Sequence, residues 1–202
     1  MPLATVSAPH RPGRSVRGWR MTAPAYNEAM ICDSQEPQRP TVEAFFSRHR
    51  IEATRHEHAP VMTVAESERL VPLLPGAKTK NLFLRDKKGA RHFLVTVPCD
   101  LAVDLDALAL LLGAGRLGFA SADRLMKHLG VTPGSVSLLA LVNDAAKAVE
   151  LVVDRRLWEA DAVHAHPLVN TATMVIPHGE LERFLAATGH APRVVEIPGR
   201  SP

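Results

Sequence analysis

Cysteine is scarce in this chain: Cys32 and Cys99 are the only two among 202 residues. A disulfide framework is excluded, and the pattern suits a reducing cytosol, with Cys99 read as a small hydrophobe because no cation or histidine stands near it in sequence. No run approaches the eighteen apolar residues a membrane helix needs; the longest leucine-rich stretch, 105–112, carries Asp106 inside it. Export by a secretory signal is not expected either, since residues 1–20 hold Arg11, Arg14, Arg17 and Arg20 but no apolar h-region. An excess of one charge is also missing. The net charge of +3 vanishes once those four arginines are set aside, leaving −1 for residues 21–202. A whole-surface basic field is therefore excluded, and any RNA contact has to be a local patch built from residues such as Lys78, Lys80, Arg85, Lys87 and Lys88.

The motifs of common enzyme classes are absent as well. There is no H-E-x-x-H, no paired C-x-x-C and no EF-hand loop, so His164 and His166, an H-x-H pair, lack a third metal ligand at recognisable spacing. No metal and no cofactor are expected. A G-x-S-x-G elbow is missing, and Ser135 and Ser137 have no assignable His and Asp partners. Gly113, Gly115 and Gly118 formally satisfy G-x-G-x-x-G, but a helix precedes them and no helix starts within them, so a dinucleotide site is rejected.

What is present reads as one domain behind an extension. Residues 1–40 hold six prolines with Gly, Ser and Arg and show no periodicity; they are expected to be disordered. From Thr41, an N-cap, a short helix runs to His49, followed by an edge strand over 51–58. Thr63 and Glu66 form a capping box that predicts a helix to Leu70. Lys78 to Asp86 and His92 to Val97 predict a hairpin across a polar turn, and Asp104 to Leu112 a helix stopped by Gly113. Ser121 caps the next helix. Val136 to Val142 and Val149 to Val153 are expected strands, Thr171 to Ile176 another, then a helix over 180–187 and a last short strand over 194–197. Strands mostly neighbour strands while helices come singly. The expected class is therefore α+β, with a mixed, largely antiparallel sheet or partly closed barrel over residues 41–198.

The chemistry sits at three places. Lys80 and Asn81 open the hairpin, where a strand would aim them at an anionic or carbonyl-bearing ligand; on spacing alone, solvated strand-end charges are the better account of Lys78 and Lys80. The Gly134-Ser135-Val136-Ser137 loop could present backbone amides. His166, followed by Pro167 and then Asn170, forms a rigid turn that can place polar groups in a pocket, or simply a structural turn.

Taken in order, the 78–86 motif, the stretch Gly130 to Asp144 and the run His166 to Thr173 resemble the YbaK-like family of trans-editing aminoacyl-tRNA deacylases, most closely its alanyl-tRNA(Pro) branch. The resemblance implies a metal-free hydrolase of mischarged tRNA(Pro), in the cytoplasm, acting on the tRNA acceptor end. Prolyl-tRNA synthetase would be a further possible partner. It implies catalytic positions at Lys80 and Asn81 for the phosphate and ribose, His166 for the small amino-acid pocket and Gly134 beside the scissile carbonyl. Lys78, Ser135, Ser137 and Asn170 would touch substrate. Family members use no protein nucleophile; the substrate's terminal ribose hydroxyl and a water take part. The chain departs from the family loop where Leu138 stands at a usual proline and Ala140 at a usual glycine, which leaves alanine against cysteine open. A noncatalytic tRNA- or synthetase-binding module is the reading of a different class.

Overall fold

The computed structural model describes residues 41–60 and 73–200; the expected disordered segment and the expected helix after Thr63 lie outside the described residues. Thr41 opens the first element, its hydroxyl accepting from the Ala44 amide at 3.1 Å, and α1 spans Val42–His49. Strand β1 (Thr54–Glu57) follows, then β2 (Thr79–Asp86) and β3 (His92–Pro98) as an antiparallel hairpin. Helix α2 (Leu105–Leu112) is capped by the Asp104 carboxylate and ends at Gly113, whose φ of 63° suits glycine at a helix C-terminus. Strand β4 (Leu117–Phe119) and helix α3 (Ala122–Leu129), with Ser121 as N-cap, come next. A 3₁₀-helix (Leu138–Asn143) leads to β5 (Val149–Asp154), α4 (Arg155–Trp158), β6 (Ala162–Ala165), β7 (Ala172–Pro177), α5 (His178–Thr188) and β8 (Arg193–Val195).

The strands divide into two open sheets, ordered β4-β2-β3-β5-β8 and β1-β7-β6, so the class is α+β as expected but no closed barrel forms. β3–β5 and β5–β8 pair in parallel and the other pairs antiparallel. The expected strand over Val136 to Val142 is instead the 3₁₀-helix. Its Ser137 hydroxyl accepts from the Leu139 amide at 3.3 Å, giving the chain a local alternative to a sheet ladder. Leu138, Leu139, Ala140 and Leu141 are all buried, so the two departures from the family loop fill core space.

Both faces of the five-stranded sheet are covered, which explains the continuous apolar run of β3. Phe83, Leu94 and Leu151 pack on one side with Leu139, Leu129 and Phe184. On the other, Leu84, Phe93 and Val95 pack with Leu108 and Leu112 of α2. A leucine such as Leu94, wholly excluded from solvent, contributes about 2 kcal/mol by burial. The Asp144 carboxylate closes the 3₁₀-helix onto β5 by accepting from the amides of Ala148 and Val149 and from His190 Nε2.

The two sheets are joined where the chain enters β2. Ala77 bridges Val163 in parallel, its amide donating to Ala162 O at 2.8 Å and its carbonyl accepting from His164 N at 2.9 Å. Gly76 makes the approach possible: its φ is 106°, and a Cβ there would stand 2.8 Å from the Ala162 oxygen.

Candidate functional site

Next to the Ala77 bridge, the start of β2 meets the end of β6, and several of the residues singled out in the sequence stand on these two strands or the loops after them. The Thr79 hydroxyl donates to His164 O at 2.7 Å and holds the two strand ends together. Asn81 follows on the same face, its side-chain oxygen accepting from the Thr96 hydroxyl at 2.8 Å across the hairpin. That bond fixes the amide rotamer, leaving the Asn81 NH₂ as a directed donor.

Alternation along β2 separates Lys80 from its neighbour. Phe83 belongs to one core cluster and Leu82 and Leu84 to the other, so Asn81 lies on the Phe83 face and Lys80 on the Leu82 face. The sequence reading treated the two as a joint holder of phosphate and ribose. In the folded chain the two side chains leave β2 from opposite faces of the sheet.

His166 lies on the Asn81 side, just past β6, where Val136 and Leu168 flank the same core cluster. Its Nε2 is 3.0 Å from Val136 O; a carbonyl only accepts, so Nε2 carries the hydrogen and Nδ1 the lone pair. Burial holds the imidazole below its usual pKa range, with the Val136 carbonyl acting in the other direction. The ring is therefore neutral at physiological pH. Its Nδ1 is buried and without a hydrogen-bond partner among the described residues.

Ser137 is wholly buried, and its hydroxyl both donates to His166 O at 2.7 Å and caps the 3₁₀-helix. This bond ties the 3₁₀-helix to the His166 backbone, so the hydroxyl expected to touch substrate is engaged inside the protein. Gly134, at φ 89°, is exposed, and a Cβ built on it meets nothing within 4 Å, so its backbone borders open space. Ser135 is half-buried in the same turn, its amide donating to Thr132 O at 3.0 Å. Asn170 is half-buried in the loop between β6 and β7, after Leu168, whose φ of 64° is unusual for a branched residue.

The H-x-H pair does not converge. His164 turns its Nε2 to Pro75 O at 2.8 Å while His166 serves Val136, and among the described residues no group of three metal-ligating side chains forms. Lys78 stands just before β2, and its charge adds to burial in keeping His164 neutral. Thr79 and Thr96 escaped the sequence reading. Only the cross-strand register, which pairs Asn81 with Thr96, brings the second into view.

Comparison with known proteins identifies the family. The Aminoacyl-tRNA editing domain family model matches residues 58–184. The chain is 39% identical over 148 residues to the Prolyl-tRNA editing protein ProX of Acetoanaerobium sticklandii, covering 73% of this chain and 90% of that protein. It is 42% identical over 161 residues to the Prolyl-tRNA synthetase associated domain-containing protein 1 of Danio rerio, covering 79% and 87%. Among solved structures, the fold matches hypothetical protein APE2540 with a TM-score of 0.61 at 24% identity, over 77% of this chain and 97% of the other. Another match, at a TM-score of 0.59 and 20% identity over 79% and 95%, was proposed as a trans-editing enzyme for prolyl tRNA synthetase. The chain belongs to the aminoacyl-tRNA editing domain family.

Proposed function

We propose that this protein is a trans-editing hydrolase that removes a wrong amino acid, alanine foremost, from tRNA(Pro). The observation that carries the reading is the similarity to a prolyl-tRNA editing protein over 90% of that protein's length. A synthetase pocket shaped for proline cannot strongly exclude the smaller alanine, so a second site that admits only the smaller residue is required.

The reaction is ester hydrolysis. Water adds to the aminoacyl carbonyl, the bond to the terminal ribose oxygen breaks, and the proton from water ends on that oxygen, releasing alanine and tRNA. Lys80 is given the acceptor-end phosphate, as a point charge that needs no titration. Asn81, its amide pinned by Thr96, is given the ribose. The Gly134 turn faces the carbonyl, and the neutral His166 walls the amino-acid pocket, offering Nδ1 as an acceptor. Ser137 cannot serve as nucleophile, because its proton is committed to a carbonyl and no base adjoins it. The ribose hydroxyl of the substrate and a water remain as the reacting groups. Docking on prolyl-tRNA synthetase and a cytoplasmic location complete the proposal; no helix among the described residues is long and apolar enough to cross a membrane.

The test is release of amino acid from alanyl-, cysteinyl- and prolyl-tRNA(Pro), with and without chelator, against spontaneous hydrolysis. Chelator-resistant loss of alanine with proline spared is the expected result. Loss of cysteine alone would move the specificity to that residue, and no release from any would leave a binding role.

A further inference from the structure

At the far end of β2 from Lys80, the hairpin tip and the start of α3 enclose an open cleft lined by Arg85, Lys87, Lys88, Phe119, Ser121 and Arg124. Its charge is not neutralised locally. Arg85 donates to the carbonyls of Asp86 and Lys87, and Arg124 to the carbonyl of Gly89 and to His92 Nε2; none of the four cations forms an ion pair among the described residues. The turn's own acid, Asp86, faces inward and accepts from the amides of Ala90 and Arg91 at 2.8 and 3.1 Å. Asp123 is nearby in the first turn of α3 but does not line the cleft. Beside the cations Phe119 is 64% exposed, although it sits in a strand whose first residue, Leu117, is buried. Two arginines held by carbonyls and two exposed lysines around an uncovered aromatic ring suit a phosphate backbone with a base or sugar against the ring.

We propose that this cleft is a second RNA-contact surface, which grips the phosphate backbone of the tRNA body while the acylated end lies at Lys80. The inference rests on the editing reading. Six residue steps along β2 separate Lys80 from Asp86, about 20 Å at the usual strand rise. No single nucleotide spans that distance, so a ligand engaging both ends is a polymer. An acidic protein partner would also meet cations, but it gives no reason for the exposed ring.

The experiment compares two substrates, full alanyl-tRNA(Pro) and a short alanylated CCA trinucleotide, in the Lys87→Glu/Lys88→Glu double variant and, separately, in Phe119→Ala. Both lysines are exposed, so folding is checked by the thermal midpoint alone. The ratio of kcat/KM for tRNA to that for the trinucleotide should fall about tenfold or more in the double variant, and the log–log salt dependence for tRNA should become shallower by about two. An unchanged ratio and salt slope would overturn the proposal. So would a defect that emerges only when prolyl-tRNA synthetase is added, which would assign the cleft to a protein. If the unaltered protein releases amino acid from neither substrate, the editing reading itself fails; salt-dependent binding of uncharged tRNA by the same variants then decides the surface independently.

Discussion

The hydroxyl of Ser137 donates to the backbone carbonyl of His166 at 2.7 Å, while the His166 ring returns a hydrogen bond to the carbonyl of the residue before Ser137. Two loops far apart in sequence are thereby locked in one relative position. Replacing Ser137 by Ala leaves the His166 carbonyl unpaired in a buried place and should cost about 1–3 kcal/mol. Chemical denaturation checks the loss. Deacylation should fall as well, because the imidazole is no longer held; an active, fully stable Ser137→Ala protein would remove the positioning role.

Among the residues assigned to the site from sequence, His166 carries a buried ring nitrogen, Nδ1, with no hydrogen-bond partner among the described residues. His166→Ala should lower kcat/KM for alanyl-tRNA(Pro) by about 10²-fold, the scale on which misplaced substrate loses rate. Proline release should rise relative to alanine, since the emptied wall widens the pocket. Parallel single-turnover assays on the two substrates measure both effects.

Lys80→Ala should abolish measurable deacylation with stability changed by no more than about 0.5 kcal/mol, because a strand-mouth lysine packs little of the core. Kinetics and denaturation on the same preparation separate these outcomes. Retained activity would remove the role given to the ammonium.

Acid should weaken the fold from near-neutral pH downward. Burial lowers the pKa of His92, His164 and His166 below the usual value, so the unfolded chain takes up protons first as pH drops through about 6.5. Stability is therefore lost between that pH and the lower folded pKa values, and levels off once the folded histidines also protonate. Asp86, held low chiefly by the Arg91 amide, adds a further loss only below about pH 4. Thermal midpoints from pH 8 to 5 should be flat at first and then decline; a rise on acidification would contradict the buried, neutral assignment.

Gly76→Ala should destabilise by about 1–3 kcal/mol, through a left-handed φ and a Cβ pressed onto the Ala162 carbonyl. Its effect on editing should exceed what the stability loss explains, because the change strikes the seam between the sheets. Comparing Tm with kcat/KM well below the melting range tests this.

Much of this architecture was legible because short-range chemistry wrote it. Thr41 and Ser121 cap helices as read, Gly113 ends the helix that Asp104 opens, and the Asp86–Gly89 turn closes the hairpin. The run Leu138 to Asn143 was misread because a short, wholly apolar stretch carries no period to distinguish a strand from a buried helix. β4 and α4 escaped notice, being three and four residues long. The partition into two sheets depends on pairings such as Ala77 with Val163, which no local window contains. For the same reason the candidate site residues could be proposed by type, but the opposite faces of Lys80 and Asn81 emerged only with the packing of Leu82 and Phe83.

The Ala77 bridge and the Thr79 hydroxyl act as the pivot of a pair of calipers, whose jaws are the mouth of β2 and the loop after β6. If the proposed sieve holds, a gauge that accepts a methyl group and refuses a pyrrolidine ring has to hold its opening to less than the difference between them. Its accuracy would then be set by the stiffness of this one joint, where backbone meets backbone.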